Sequence, residues 1–577
     1  MSSAPAPLAD SFQVDPGLRT IADAFLWALD NHHDELALTE AGGDLALSWR
    51  EYGDRVAALA SGLSGLGVGP GDRVALLMGN RPEFNLIDAA SMFLGAIPLS
   101  IYPTSASEQI AYIAGHARPA VYVVEAEARS RIEEAGISGP IFYVERDDEA
   151  HAVLSQIESA AGKPVDLHAQ NDRIGPDNLL TLIYTSGTTG PPKAVELTHA
   201  ALLFTIRATS RVVPLCERGR LISYLPHAHV VDRFASHYLQ MATGSTTTTL
   251  LDTREVFAIT PSVQPTMFFA VPRTWEKLRR CLTEELEAGA DPASFGVRVR
   301  ERLGLQAARW LVTGSAKTDP EMLRFFAALG MPVCENWGMS ENCAVGTLND
   351  PLRPRIGSVG KVLPGTELSL AADGEILCRG PHVMRGYRDD PKATAATIDG
   401  EGWLHTGDLG AFDEDGNLSI VGRKTDIIIN SSGKNMSPTN IEASVRNSSP
   451  IIGQVCCVGD SRPFNTALIV VDPEAARAAA AASYDPALDG TLGLPELVSL
   501  PEVKASVAAG VEAANHRLSR VEQIKRYRIL PDEWPADGGL VTPTMKLRRE
   551  AVLERYRDVI EDLYSDDSPK HEKGTTS

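Results

Sequence analysis

The sequence lacks paired cysteines, a long hydrophobic run and the start of a secretory signal. Its seven cysteines form no CxxC pair, and an odd, dispersed set is typical of reduced thiols in a cytoplasmic protein. No run reaches the ~18 apolar residues of a membrane span. The first residues have neither the basic nor the apolar region of a signal peptide. We therefore expect a cytoplasmic protein with no transmembrane segment, which leaves peripheral membrane contact open.

Positive charge is also scarce. The chain has 54 Lys and Arg against 75 Asp and Glu, which gives a formal net charge of −21. This balance argues against a nucleic-acid partner, because phosphate backbones require clustered cations. The 577 residues are too many for a single hydrophobic core, so two or more domains are expected. Nothing in the composition specifies an oligomeric state.

Apolar strand patterns alternate with helical patterns from about residue 20 to 420, which predicts an α/β fold with mostly parallel strands. Short strands with Gly and Asp turns at Gly365–Cys378 and Gly416–Val421 predict a small β-rich subdomain. A fresh α/β pattern begins after Gly422–Asp426. We predict a large N-terminal domain of layered α/β subdomains (1–422), a hinge (423–426), a small mobile C-terminal α/β domain (427–564) and a disordered polar tail (565–577).

A loop of Gly, Ser and Thr residues follows the apolar run Leu179–Ile183. The loop reads YTSGTTGPPK over 184–193 and ends at Lys193. Hydroxyl groups and exposed glycine backbone suit a loop that wraps phosphate oxygens, and one lysine adds positive charge. No GK[ST] follows the glycines, so the loop is not a Walker P-loop. The alternative is a flexible surface turn.

This loop resembles the phosphate-loop signature of the acyl-adenylate-forming enzymes, which include acyl-CoA synthetases, luciferases and the adenylation domains of peptide synthetases. Four later segments are similar to that family, in its order: ENWGMSEN (335–342), GWLHTGDLG (402–410), GRKTDIIINSSGKNMSPTNIE (422–442) and TPTMKLRRE (542–550). Other segments, such as Val271–Lys277, resemble bacterial long-chain fatty acid–CoA ligases. The resemblance implies that ATP activates a medium- to long-chain fatty acid as acyl-AMP, with release of pyrophosphate, and that the acyl group then passes to CoA, with release of AMP.

The implied reaction brings together two anions, a carboxylate and the α-phosphate of ATP. Neutralising charge is therefore the main task, and the carboxylate is already ionised near pH 7, so no general base is needed. The resemblance implies catalytic roles for Lys193, Glu341 and Lys546, with Thr185 and Glu341 as oxygen ligands for Mg²⁺. The alternative for Lys546 is a surface lysine in a basic run with Arg548 and Arg549.

The resemblance also assigns the contacts to ATP and CoA. A carboxylate can accept hydrogen bonds from both ribose hydroxyls, and Asp408 with Arg423 is the implied ribose site. The indole of Trp337 offers an aromatic face for adenine. The alternative for Trp337 is an aromatic residue of the core, and the alternative for Asp408 is a residue of a common Gly-Asp turn. The further implied contacts are Thr185, Ser186, Gly187, Thr188, Thr189 and Gly190 for the phosphates, Asn336, Gly338 and Ser340 for the nucleotide, and Gly433 for the pantetheine arm of CoA.

The implied acyl pocket contains His229, Gly314 and Ser315, and the implied hinge residue is Thr425. The chain departs from the family pattern at Thr425, Trp337, Ser340 and Ala194, the last standing where the family usually has Gly. A methyl group at Ala194 is expected to be tolerated if the backbone angle is ordinary.

Two other functions stay open. One is an acyl-AMP ligase that loads a carrier-protein thiol, which the lack of a visible carrier domain after residue 550 disfavours. The other is a non-catalytic binder of acyl groups or nucleotides.

Overall fold

The structure is a computed structural model that describes residues 12–145, 152–160, 162–185, 191–287, 291–426, 428–429, 435–481, 492–535, 538–542 and 546–565. Several predicted features lie outside these residues: Ser186, Gly187, Thr188, Thr189, Gly190, Gly433 and the tail beyond Ser565. The side chain of Thr425 also lies outside them, although its backbone is described.

A seven-stranded sheet forms the centre of the N-terminal part. Val74 and Leu76 pack in one core and Ala75 and Leu77 in another, as expected for alternate side chains of a strand that is buried on both faces. The four strand pairings at one side of the sheet are parallel and the two at the other are antiparallel. The strand order is Gly386–Tyr387, Lys193–Thr198, Leu179–Thr185, Ile97–Ser100, Arg73–Leu77, Val121–Glu125, Ile141–Val144.

Two further sheets combine parallel and antiparallel pairs. The five-stranded sheet has the order Met267–Phe269, Trp310–Thr313, Val333–Trp337, Thr347–Leu348, Lys361–Val362, with its first three strands parallel. The four-stranded sheet has the order Ala46–Ser48, Leu36–Glu40, Thr246–Thr249, Arg220–Ser223. The predicted α/β fold with mostly parallel strands is confirmed.

The predicted β-rich subdomain is an antiparallel four-stranded sheet. Its order is Glu367–Leu370, Glu375–Arg379, Leu404–Phe412, Leu418–Arg423. The last strand ends at Arg423, and a short 3₁₀ turn, Lys424–Asp426, follows it.

The C-terminal part contains a three-stranded sheet with a separate core on each face. The strand order is Ile452–Val458, Asn465–Val471, Ile524–Leu530. Ile469 and Val471 pack in one core, and Leu468 and Val470 pack in the other, which also contains Trp534. A short hairpin of Ile428–Ile429 and Asn435–Met436 precedes the sheet.

Helices connect these strands, and some of them begin with side-chain caps. Thr20 and Ser48 form capping boxes with Asp23 and Glu51. Within the described ranges, no helix has both the length and the apolar character needed to cross a bilayer. The helices are Ile21–His32, Trp49–Gly65, Pro82–Phe93, Ser107–Ala117, Arg129–Glu134, Ala152–Glu158, Leu167–Asn171, His199–Ser210, Val230–Asp232, Leu239–Thr243, Val256–Val263, Pro272–Glu287, Pro292–Arg302, Pro320–Ala328, Pro391–Thr397, Pro438–Arg446, Pro473–Ala481, Leu494–Leu497, Pro501–Arg517, Arg549–Arg555 and Arg557–Tyr564.

The helix Pro82–Phe93 is buried along its whole length and carries an ionised side chain into the core. Asp88 accepts hydrogen bonds from Arg233 at 2.7 Å and from Tyr238 at 3.1 Å, and its Oδ1 lies 2.9 Å from Nε2 of His237. Burial alone would raise the pKa of Asp88, but Arg233 and His237 outweigh that effect and lower it. A buried charge with this many partners is stable where an isolated one would not be.

Candidate active site

The phosphate loop predicted from the sequence joins two paired strands. Leu179–Thr185 and Lys193–Thr198 run antiparallel, and Thr185 stands opposite Lys193. The hydroxyl of Thr185 donates to the carbonyl oxygen of Lys193 at 3.3 Å, so both predicted residues lie at the mouth of the loop. Ala194 is a buried strand residue whose φ is not positive, which meets the condition set for tolerating its methyl group.

Glu341 lies in a 3₁₀ turn, Ser340–Asn342, just after the strand Val333–Trp337. It is buried, and its Oε1 accepts a hydrogen bond of 2.8 Å from the phenol of Tyr387. The backbone N–H of Met384 donates to the carbonyl oxygen of Glu341 at 2.8 Å. The side chain and the backbone of Glu341 are thus both held by the segment that leads to Tyr387.

Tyr387 was not predicted from the sequence. It lies on the strand Gly386–Tyr387, which pairs antiparallel with Lys193–Thr198, and Nζ of Lys193 lies 4.9 Å from the centroid of its ring. Burial and then the charge of Glu341 raise the pKa of the Tyr387 phenol, so it is a hydrogen-bond donor at neutral pH. Tyr387 therefore links a cation and an anion from different elements.

Asp408 and Arg423 face each other on neighbouring strands of the β-rich subdomain. Nε of Arg423 donates to Oδ1 of Asp408 at 3.0 Å, and the charge of Asp408 raises the pKa of Arg423. The indole Nε1 of Trp337 donates to Oδ2 of Asp408 at 2.8 Å. Trp337 also packs against Ile376 and Leu418, so it has a place in a core as well as a polar partner.

Lys546 comes from the C-terminal part and lies among charged groups of the N-terminal part. Its side chain is accessible to water, yet it is surrounded by enough protein that desolvation lowers its pKa, and Arg423 lowers it further. The charges of Asp408 and Glu341 raise the same pKa. Burial and then the charge of Lys546 lower the pKa of His229 to about 3, so His229 is neutral at pH 7 and lies near the lysine.

Gly314, Gly338 and Asn336 come together where two parallel strands end. A Cβ atom added to Gly314 would lie 2.3 Å from Oδ1 of Asn336, and one added to Gly338 would lie 2.1 Å from the carbonyl oxygen of Ala344. Ser315 follows with a left-handed φ of 67°. Side chains larger than hydrogen do not fit at either glycine, because backbone and a short amide fill the space.

Residues 25–388 match the family described as AMP-binding enzyme, and residues 425–568 match the AMP-binding enzyme C-terminal domain. The chain belongs to the AMP-binding enzyme family. It is 42% identical to the putative fatty-acid–CoA ligase fadD11 of Mycobacterium tuberculosis over 70% of this chain and 77% of that protein. It is 32% identical to the long-chain-fatty-acid–CoA ligase FadD15 of the same species over 89% of this chain and 92% of that protein.

Solved structures share the fold of this AMP-binding enzyme. The A-PCP didomain of carboxylic acid reductase from Segniliparus rugosus, in complex with AMP, has a TM-score of 0.77 at 20% identity and covers 98% of this chain and 84% of its own. ATP-bound MatB from Rhodopseudomonas palustris has a TM-score of 0.71 at 22% identity and covers 94% of this chain and 99% of its own. At these identities the similarity shows the α/β fold, with its large N-terminal and smaller C-terminal domain.

The site of this AMP-binding enzyme thus contains three cations and two carboxylates from five segments of the chain. Lys193, Arg423 and Lys546 supply positive charge, and Glu341 and Asp408 supply carboxylate groups. Such a site can neutralise a phosphate chain and a carboxylate together. Pairing of Tyr387 with a strand about 190 residues earlier has no sequence pattern, and for that reason the sequence did not reveal it.

Proposed function

We propose that the protein is an AMP-forming fatty acid–CoA ligase that uses ATP, Mg²⁺ and CoA, with medium- to long-chain acids as substrates. The observation that carries the proposal is the position of Lys546, which is near enough to Arg423, Asp408 and Glu341 that their charges shift its pKa. The names of the relatives, fatty-acid–CoA ligase and long-chain-fatty-acid–CoA ligase, support the substrate class.

In the first half reaction, a carboxylate oxygen attacks the α-phosphorus of ATP, and pyrophosphate leaves. The ammonium of Lys546 would stabilise the charge that develops between the two anions, and Lys193 would hold the leaving phosphates. Glu341 fits a Mg²⁺ ion brought by ATP, since only its Oε1 has a hydrogen-bond donor within the described residues. Its second carboxylate oxygen would then be available as a hard ligand, and the hydroxyl oxygen of Thr185 would be another.

In the second half reaction, the CoA thiolate attacks the acyl carbonyl, and AMP leaves. We propose that the C-terminal domain (427–564) turns about the hinge 423–426 between the two steps. Hydrogen bonds between the two parts include Lys317 to Asn440 at 2.6 Å and Arg273 to Asp472 at 3.4 Å. Such solvent-accessible polar contacts can be exchanged at small cost, which suits a moving domain.

Seven unpaired thiols favour a cytoplasmic location.

The proposal is tested with straight-chain acids from hexanoate to stearate. We expect acid-dependent exchange of pyrophosphate into ATP and formation of acyl-CoA, with the highest kcat/KM for the medium to long acids. Exchange with loading of a holo-carrier protein but no acyl-CoA would identify the carrier-loading alternative. No exchange with any acid, from a protein that still binds ATP, would identify a non-catalytic binder.

A further inference from the structure

The carboxylate of Asp408 is held at both oxygens by donors from different elements. Nε1 of Trp337 donates to Oδ2 at 2.8 Å, and Nε of Arg423 donates to Oδ1 at 3.0 Å. Trp337 precedes Asp408 by 71 residues and lies on another sheet. A carboxylate that is fixed at both ends cannot rotate freely about its own bond, so its orientation is set before any nucleotide arrives.

The hydrogen-bonding capacity of Asp408 can be counted. An ionised carboxylate offers about four acceptor positions. Within the described residues, Trp337 and Arg423 occupy one position on each oxygen. One position on each oxygen is left, and this pair suits two neighbouring hydroxyl groups such as those of a ribose.

We propose that Trp337 is a positioning residue for ribose: its indole N–H holds Asp408 so that the carboxylate accepts both the 2′ and the 3′ hydroxyl. This inference rests on the proposed function, in which Asp408 binds the ribose of ATP. It gives the indole a role separate from stacking on adenine, because a benzyl ring would keep an aromatic face but would lack the N–H. Trp337 thereby contributes to selectivity for the sugar.

The position of the indole is itself fixed by its neighbours. Ile376 and Leu418 pack against Trp337. A Cβ atom added to Gly346 would lie 2.5 Å from Cζ3 of the indole and 2.9 Å from Nδ2 of Asn342, so that substitution would push the ring away without changing its chemistry. The N–H of Gly346 also donates to the carbonyl oxygen of Trp337 at 2.8 Å.

The test compares the binding of ATP and of 2′,3′-dideoxyATP to the full-length protein by calorimetry. For Trp337→Phe we expect ATP affinity to fall about tenfold more than dideoxyATP affinity, as for the loss of a hydrogen bond to a charged group. Any loss of stacking weakens the binding of both nucleotides equally, so it cancels in the ratio of the ATP affinity to the dideoxyATP affinity. Trp534→Phe is the matched control, because Trp534 is also buried and donates to a hydroxyl, that of Tyr556, at 3.1 Å in the C-terminal core; its ratio should equal that of wild type.

Gly346→Ala is the second variant, for use if Trp337→Phe does not fold, and it should lower the same ratio. The inference is overturned if wild type binds both nucleotides equally well, or if the folded variants lose affinity for ATP and for dideoxyATP by the same factor. Because binding needs no turnover, these outcomes can be distinguished from a failure of the proposed function. That function fails instead when no acid drives pyrophosphate exchange.

Discussion

The phenol of Tyr387 donates a hydrogen bond of 2.8 Å to the buried carboxylate of Glu341. The same ring faces the ammonium of Lys193, whose Nζ lies 4.9 Å from the ring centroid. One side chain therefore sets the distance between the proposed metal ligand and the proposed phosphate-binding lysine. The pairing of the strand that carries Tyr387 with the strand that begins at Lys193 makes this arrangement rigid.

Removing the hydroxyl of Tyr387 should weaken the use of Mg²⁺. In Tyr387→Phe, the oxygen of Glu341 loses its donor, and we expect about tenfold slower pyrophosphate exchange at low Mg²⁺, recovered in part at high Mg²⁺. Tyr387→Leu also removes the ring that faces Lys193 and should therefore raise the KM for ATP as well. Exchange measured against Mg²⁺ concentration checks this, with the exposed Tyr112→Phe as control. An unchanged Mg²⁺ dependence in Tyr387→Phe would contradict the role.

Replacing Lys546 should separate the two half reactions. Lys546→Ala removes the cation that lies among Arg423, Asp408 and Glu341, so acyl-AMP formation should fall by about 10²-fold or more. Attack of CoA on supplied acyl-AMP should be largely spared, since the lysine is withdrawn in that step. Lys504→Ala changes an exposed lysine on the helix Pro501–Arg517 and serves as the control. Equal losses in both half reactions would rule out the two-position scheme.

The contact between Lys317 and Asn440 should favour the first half reaction. This hydrogen bond of 2.6 Å joins the N-terminal and C-terminal parts, in the arrangement that brings Lys546 to the site. Lys317→Ala and Asn440→Ala should each slow acyl-AMP formation about threefold to tenfold and leave the CoA step nearly unchanged. A double-mutant cycle on both rates measures the coupling. No coupling in the first step would show that the contact does not hold this arrangement.

Stability should fall in mild acid through a buried histidine. Burial lowers the pKa of His199 to about 4, and its Nδ1 accepts from the N–H of Ile21 at 3.3 Å. Between about pH 6.5 and pH 4 the His199 imidazole binds a proton in the unfolded chain but not in the folded chain. Lowering the pH through this window therefore reduces the free energy of unfolding.

An asparagine at this position keeps an acceptor and does not titrate. The stability advantage of wild type over His199→Asn should therefore shrink by about 2 kcal/mol from pH 7 to pH 5. Urea unfolding at both pH values measures it, with the exposed His33→Asn as control. An advantage that grows in acid would contradict the assignment of a neutral histidine.

The sequence predicted those features that are local along the chain. Lys193 ends a continuous motif, and Glu341 and Asp408 each lie in one, so short patterns sufficed to name them. The partners of these residues are not local. Contacts such as Tyr387 to Glu341 and Trp337 to Asp408 depend on how separate sheets meet, and no spacing rule encodes that meeting. The same holds for the buried network around Asp88, which joins the helix Pro82–Phe93 to the π-helix Arg233–Tyr238, about 145 residues later.

Arg423 is the last residue of a strand that pairs with the strand of Asp408, and the proposed turning segment begins there. A rotation that starts beyond this pairing would move Lys546 away from the site. The hydrogen-bonded pair of Asp408 and Arg423 would keep its place in the large domain. The adenylate would then keep its sugar anchored while its chemical surroundings are exchanged. An activated, hydrolysable acyl group would thus be retained between the two reactions and not released into water.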